Sequence, residues 1–427
     1  MKYLVSGVVL VLIAGGGWAQ YQLGQEAGRR IDQQLAPDTL SRWTGMPVEV
    51  LANEQHSGWL ETRGSVRLAT PSSDIPLDMT VEYVIHHRLT DVVSGFEWSA
   101  SLTTLYVGGP VNVSLIDQVF GGQPVLVDGR AEPGQVSGVV TVPAASWVLD
   151  GIDTLEAQAF PIRFGLQQGE NLRLGAYNSQ ADVPPIRISG PDLKLEINGL
   201  GWRHEYSGQA DVLAGHLDLA IAEIRAQNGM AFVATGIHNR MDTRISTELE
   251  SHLSFSIEHI QSPLGEMQGL LLETAFGGLD GSLTRQLLDQ LDDASQSGDP
   301  ALVMVELNRF LEQNADQWFS RAPWFRLEHF RFNQGDEPFI DLSGNLTLQT
   351  SRLAPDFFAG WMKGAMPDPL DLMNVLDASV DMSLSQDAIA LATLSNPLMG
   401  DLLANNGPAF SFRMSQGQMT LNGNPLE

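Results

Sequence analysis

Nine histidines are the chain's main supply of metal ligands and proton carriers: His56, His86, His87, His204, His216, His238, His252, His259 and His329. A zinc or iron centre needs two or three of them converging from a helix pair or a spaced cluster, and these intervals give neither. His86 and His87 are adjacent, so on a strand they face opposite sides. His252 and His259, seven apart, also fall on opposite faces of one strand. All nine are read as surface or rim residues, and no metal is expected. A serine nucleophile would need a GxSxG elbow or a Ser-x-x-Lys helix, and neither is present. Carboxylate pairs such as Asp292–Asp293 and Asp150–Asp153 are close in sequence, but acid-base work depends on distance across a cleft. In so acidic a chain they read as solvated faces. The glycines of AGGGWA and AFGGLDG lack the lysine and the helix start that cradle phosphate. No catalytic residue and no cofactor is expected, and the chain is read as not an enzyme.

The chain has 427 residues and no cysteine, which excludes disulfides, a thiol nucleophile and thiolate metal sites. Twenty-four basic against 51 acidic residues give a net charge of −27. That charge opposes nucleic acid and anionic lipid headgroups alike; no nucleic-acid partner is expected.

Compartment turns on the opening MKYLVSGVVLVLIAGGGWAQYQLGQEAGRRIDQQL. After Lys2, Tyr3 to Ala19 carry no charge, a stretch near the lower limit for crossing a bilayer. Gly17, Trp18 and Ala19 form the small-any-small pattern of a signal-peptide end. Against cleavage, the run has no polar pre-cleavage stretch and flows into residues that extend a helix, with Trp18 and Tyr21 placed for an interfacial belt. We expect retention as a single-pass anchor, Lys2 cytoplasmic and the bulk in the periplasm. The alternative is a soluble periplasmic protein cut near Ala19. Arg29 and Arg30 weaken the charge asymmetry of the anchored reading.

Beyond the leader, strict alternation predicts strands with one buried face. Leu77, Met79, Val81, Tyr83 and Ile85 share one side; Leu193, Leu195 and Ile197, then Leu217, Leu219 and Ile221, repeat the pattern. In ISTELESHLSFSI the residues Ile245, Leu249, Leu253, Phe255 and Ile257 predict one strand of thirteen residues. Glycines recur inside such patterns, at Gly64, Gly138, Gly208, Gly344 and Gly423, and mark bends or close backbone approach. Their spacing hints at a degenerate repeat without establishing one.

Helical stripes interrupt the strands. Leu283, Leu287, Leu288 and Leu291 form one; a second starts with Asp299 as cap and Pro300 at its first position, burying Val303, Leu307, Phe310 and Leu311. PDFFAGWMKGAM and DPLDLMNVL predict another pair, followed by alternation from Leu376 to Leu384. Aromatic clusters stand out near these helices: Trp318, Phe319, Trp324 and Phe325, then Phe357, Phe358 and Trp361. They are covered packing residues or an apolar contact for a partner or lipid, and are the candidate contact residues.

The basic head and apolar run, the GWAQYQLGQEAGRRIDQQL exit, the strand HSGWLETRGSVRL, the block DPALVMVELNRFLEQNADQWFSRAPWFRLEHFRF and the ending QGQMTLNGNPLE together resemble the YdgA-like family of uncharacterised bacterial envelope proteins. The likeness covers nearly the whole chain. It implies an inner-membrane-anchored periplasmic protein without assigned chemistry, with self-association as a homodimer. Glycine-in-strand patterning gives a fainter similarity to AsmA-like proteins, implying a long sheet with an apolar groove for lipid.

The expected fold is β-rich α+β, elongated, with long antiparallel strands in a large twisted sheet and helical insertions in the C-terminal half. Its expected parts are the anchor and helical exit at 1–35, a β-rich region at 36–280, a helical insertion at 281–320 and a β-rich region at 321–427 with helices near 354–376 and 386–405. The expected role is binding or scaffolding in the cell envelope through an apolar sheet groove that contacts lipid. The alternative is a self-associating structural protein without a groove.

Overall fold

The computed structural model describes residues 48–426 except 58–60, 71–75, 87–94, 108–112, 133, 150–152, 169–173, 192, 210–211, 229, 264, 296–299, 335–336, 354–356, 358–372 and 396–406. The leader, Asp299 and most of the helical pair expected near 354–376 lie outside the described residues. The chain is mostly strand, every strand pairing is antiparallel, and the few helices fall mainly in the C-terminal half. It separates into two compact units, one formed from residues 1–210 with 289–306, the other from 211–288 with 307–427. The units part at 210/211, and residues 289–306 return to the first.

Unit one contains β1 (Glu49–Ser57), β2 (Glu61–Ala69), β3 (Leu77–His86), β4 (Phe96–Val107), β5 (Val113–Ser114) and helix α1 (Leu115–Phe120). Then follow β6 (Val125–Glu132), β7 (Gln135–Val142), β8 (Ala145–Leu149), β9 (Asp153–Ala157) and β10 (Phe160–Gln168), and last β11 (Leu174–Val183), β12 (Ile186–Ser189) and β13 (Lys194–Gln209). Pairing runs β1-β2-β3-β4-β6-β7-β10-β11-β13. The alternation of β3 buries Leu77, Met79, Val81 and Ile85, and this face joins one apolar core with Val66, Leu102, Val125 and Val140. Ser114 caps α1 and Gly121, at φ 60°, ends it; Ile116 and Phe120 plug the same core.

Strand glycines sit under aromatic rings. Gly64 faces Tyr83, Gly129 faces Trp98 and Gly138 faces Phe164. A Cβ at Gly138 would lie 2.6 Å from the Phe164 ring; close approach, one of the two readings of the sequence pattern, is the reason for glycine there.

A crease crosses four neighbouring strands. β7 with β8, β9 with β10, and β11 with β12 each keep one register across an interruption: Val142 and Ala145 pair with Phe160 and Ala157, and Val183 and Ile186 pair with Leu200 and Ile197. The breaks fall at one level, at Pro143–Ala144, Gln158–Ala159 and Pro184–Pro185, which β13 crosses at Asn198–Gly199, with Gly199 at φ 63°. Proline has no N–H to give the ladder.

Unit two is a plain meander. β14 (Val212–Asn228), β15 (Met230–Ile245), β16 (Glu248–Ser262) and β17 (Gly265–Asp280) lead to helices α2 (Gly281–Ser295) and α3 (Pro300–Trp318), of which residues 289–306 fall in unit one. The chain returns through β18 (Trp324–Gln334), β19 (Glu337–Leu348), β20 (Leu376–Leu384), α4 (Gln386–Ser395), β21 (Ala409–Ser415), β22 (Gln418–Leu421) and β23 (Asn424–Pro425). Each strand pairs with the next. The 17 residues of β14 span about 55 Å at roughly 3.3 Å per residue.

The single strand expected over 245–257 is instead the end of β15, a turn at Ser246–Thr247 and the first part of β16. Ile245 pairs directly with Leu249. Directly opposed residues share a face, so the turn leaves the alternation unbroken and hides in it. Asp280 starts α2: its carboxylate accepts from the Ser282 and Leu283 N–H groups at 3.0 Å each and from Arg321 at 3.2 Å. Arg285 ties α2 to the turn carbonyl of Ser246 at 3.2 Å.

Candidate binding surface

The register of unit two places apolar side chains in rows that cross the strands on one face. Leu213, Ile245, Leu249 and Leu279 make the first row, beside the turn. Leu217, Met241, Leu253, Thr274 and Leu327 make another, and Leu219, Asn239, Phe255, Leu272, Phe330 and Leu342 the next. Ile221, Ile237, Ile257 and Leu270 make the last wholly apolar row. Leu342, Leu346 and Leu348 carry the face onto Met382, Ala378 and Leu376, and then to Phe410 and Phe412. Between the first row and the Leu217 row lies Gly215, Thr243, Ser251, Phe276 and Phe325, in which the Thr243 and Ser251 hydroxyls bond each other at 3.0 Å. From β14 to β22 the face is about 40 Å across at roughly 4.8 Å per strand, and from the Leu213 row to the Ile221 row it runs about 26 Å along the strands.

This face is not sealed. Phe325 is 46% exposed, Phe276 and Leu346 40% and Met241 39%. Leu217, Leu219, Leu253, Phe255 and Ile257 are all half-buried, the state in which row neighbours shield flanks and leave tops open, although Ile237 and Ile245 are buried. Asn239 interrupts the floor between Leu219 and Phe255, and its buried Oδ1 has no hydrogen-bond partner.

Behind those rows the opposite face carries charged pairs that satisfy one another, but beyond Gly236 it turns apolar in the row Ile224, Ala234, Ile260 and Met267. Asp242 accepts from His216 Nδ1 at 2.7 Å and Arg240 Nε at 2.8 Å. Arg413 grips Asp381 with two bonds of 2.9 and 3.0 Å. Burial pushes the Asp242 carboxyl up, but the hydrogen bonds and charges of Arg240 and His216 outweigh it and hold the carboxyl below its ordinary value. The Arg413 hydrogen bond does the same for Asp381, as the Ser415 hydroxyl does for Asp377. The His216–Asp242, Arg413–Asp381 and Ser415–Asp377 bonds are clasps between neighbouring strands. Among the described residues no group of three or more His, Cys, Asp and Glu is placed to hold a metal.

The seven aromatic candidates separate. Trp318 donates its Nε1–H to Thr284 at 2.9 Å and stacks edge-on against buried Phe310 at 5.7 Å, with Phe319 5.2 Å beyond. Through its bond to Thr284, Trp318 joins α3 to α2. Trp324 opens β18 opposite Gly277 on the polar face, with the Arg326 guanidinium over its ring at 5.1 Å. Phe325 belongs to the open apolar face, paired with Phe276 and Leu346. Phe357 is half-buried; Phe358 and Trp361 lie outside the described residues. The face's main residues, Leu217, Leu219, Leu253, Phe255 and Ile257, are visible in the sequence as alternation but give no sign there of being uncovered.

Fold and surface together define an antiparallel β protein whose second unit is a meander with one partly exposed apolar face and, behind it, charged pairs that neutralise one another. Among the described residues no helix is long and apolar enough to cross a membrane. The chain belongs to a family of bacterial proteins of unknown function, DUF945, whose model matches residues 1–400. No curated protein and no solved structure matches it.

Proposed function

We propose that this is a non-enzymatic binding protein of the bacterial cell envelope, of the YdgA-like kind, anchored in the inner membrane by Met1–Ala19 with its bulk in the periplasm. The apolar face of β14–β22 holds lipid hydrocarbon. The observation that carries this is the run of in-register apolar rows left half-exposed over nine strands. A monomeric surface rarely carries a contiguous apolar patch beyond a few hundred Å² without using it, and leaving one wet costs roughly 25 cal/mol per Å². An all-carbon ligand surface suits a floor whose polar groups are few. Compartment and anchor rest on the leader's composition and the family likeness.

The test is native mass spectrometry of the full-length protein extracted gently from bacterial membranes, beside Leu253→Asp. Retained phospholipid on a mass that includes Met1, lost in the variant, is expected. A mass starting near Gln20, free of lipid and of detergent dependence, would end both the anchor and the lipid reading and leave a self-associating periplasmic scaffold.

A further inference from the structure

The apolar rows of unit two stop abruptly at one end. Beyond Ile221, Ile237, Ile257 and Leu270 the next residues on the same face, paired in register, are Glu223, Thr235, His259 and Gln268. The following row is Arg225, Val233, Gln261 and Glu266. Both signs of charge meet there: Arg225 lies 2.8 Å from Glu223, and His259 Nδ1 lies 3.4 Å from Glu266, which also accepts from Gln268 at 3.0 Å. The other end differs. At the Ser246–Thr247 turn the row Leu213, Ile245, Leu249 and Leu279 is apolar to its limit, and α2 covers the turn through Arg285. The floor is therefore amphipathic along the strands, with one closed apolar end and one open charged end.

Resting on the lipid reading above, we propose that the occupant is a zwitterionic phospholipid lying along β14–β17. Its head sits at the Glu223–Arg225–His259–Glu266 band and its chains run toward Leu249. The length agrees: the floor of about 26 Å, whose one polar row is closed by the Thr243–Ser251 hydrogen bond, exceeds the roughly 15 Å hydrocarbon depth of one bilayer leaflet, so extended chains lie full length on it. The charge agrees too. Arg225 and His259 supply donors for the phosphate, and Glu223 and Glu266 supply acceptors for the ammonium, each ion pair opening to exchange one partner for another. An anionic head would leave both carboxylates facing like charge in a chain already at −27. A second copy of the same face would set Glu223 and Glu266 against the same mixed band and would not use the polarity gradient.

The experiment uses full-length protein with phosphatidylethanolamine or with diacylglycerol of the same chains, each carrying a photoreactive diazirine at the chain terminus. Crosslinks are expected on Ile245 to Leu253. The double variant Arg225→Ala, His259→Ala is expected to weaken phosphatidylethanolamine capture about tenfold, which is 1.4 kcal/mol, with diacylglycerol capture unchanged. Crosslinks at His259 to Gln261, or equal loss of both lipids, would overturn the orientation and head assignment while leaving lipid binding standing. Capture of neither lipid by the unmodified protein, or a lipid-free mass of two chains, would overturn the lipid reading itself.

Discussion

Met79 in β3 and Met241 in β15 hold the same kind of position, an inward step in an alternating antiparallel strand, yet Met79 is 0% exposed and Met241 is 39% exposed. The local sequence is equivalent. The difference arises at the level of packing. In unit one the apolar face of β2, β3, β4, β6 and β7 gathers with α1 into one closed core. In unit two, among the described residues, each strand pairs with its sequence neighbours, and Met241, Phe276 and Phe325 on the apolar face keep 39%, 40% and 46% of their surface exposed. A side chain in the first unit works mainly for stability, and one on the open face of the second is available for contact.

Truncation tests this most strongly. Leu102→Ala, at a site 1% exposed, should cost roughly 2–5 kcal/mol, read as lost hydrogen-exchange protection in peptides of β2–β7. Leu253→Ala removes the same atoms from a half-buried site and should cost about 1 kcal/mol, because water fills the gap and little cavity forms. Equal costs would mean that unit two is sealed and would sink the binding surface.

Next in size is Gly138→Val, which drives a branched side chain into Phe164. It should destabilise unit one by roughly 1–3 kcal/mol and leave exchange in β15 and β16 unchanged. Coupled loosening of both would break the separation of the units.

The smallest effect expected is at Asp280, which caps α2. Burial raises its carboxyl pKa, but hydrogen bonds from Leu283 and Ser282 and the Arg321 charge outweigh that and hold it below 3.8. A depressed carboxylate contributes stability above its unfolded pKa and loses it as the pH falls through the folded value. Asp280→Ala should therefore cost about 1 kcal/mol near neutrality, and the gap from the parent should close as the pH drops below 3.8. A gap that persists at low pH would assign the loss to packing.

Much of the architecture was legible. The alternation at Leu77–Ile85 and Leu376–Leu384 predicts β3 and β20, and the leucine stripe at Leu283 and Leu287 with Pro300 predicts α2 and α3. The turn at Ser246–Thr247 was not, because a hairpin that pairs Ile245 with Leu249 preserves parity. Openness was not legible either: Leu253 and Val81 obey one pattern, and what lies above a sheet face is decided by distant residues. Aromatic density found Phe325 but grouped it with Trp318, whose bond to Thr284 makes it part of the helix joint.

The crease in unit one also protects against error. A strand that slips by one residue sends its whole apolar set to the wrong face. β11 with β12 cannot slip cheaply against β13, because Pro184 and Pro185 would then stand opposite carbonyls that need an N–H. In the observed register they stand at the level of Asn198 and Gly199. Three short strands that could otherwise slide thus share one alignment mark, and each proline acts as a pin that holds its neighbours in step.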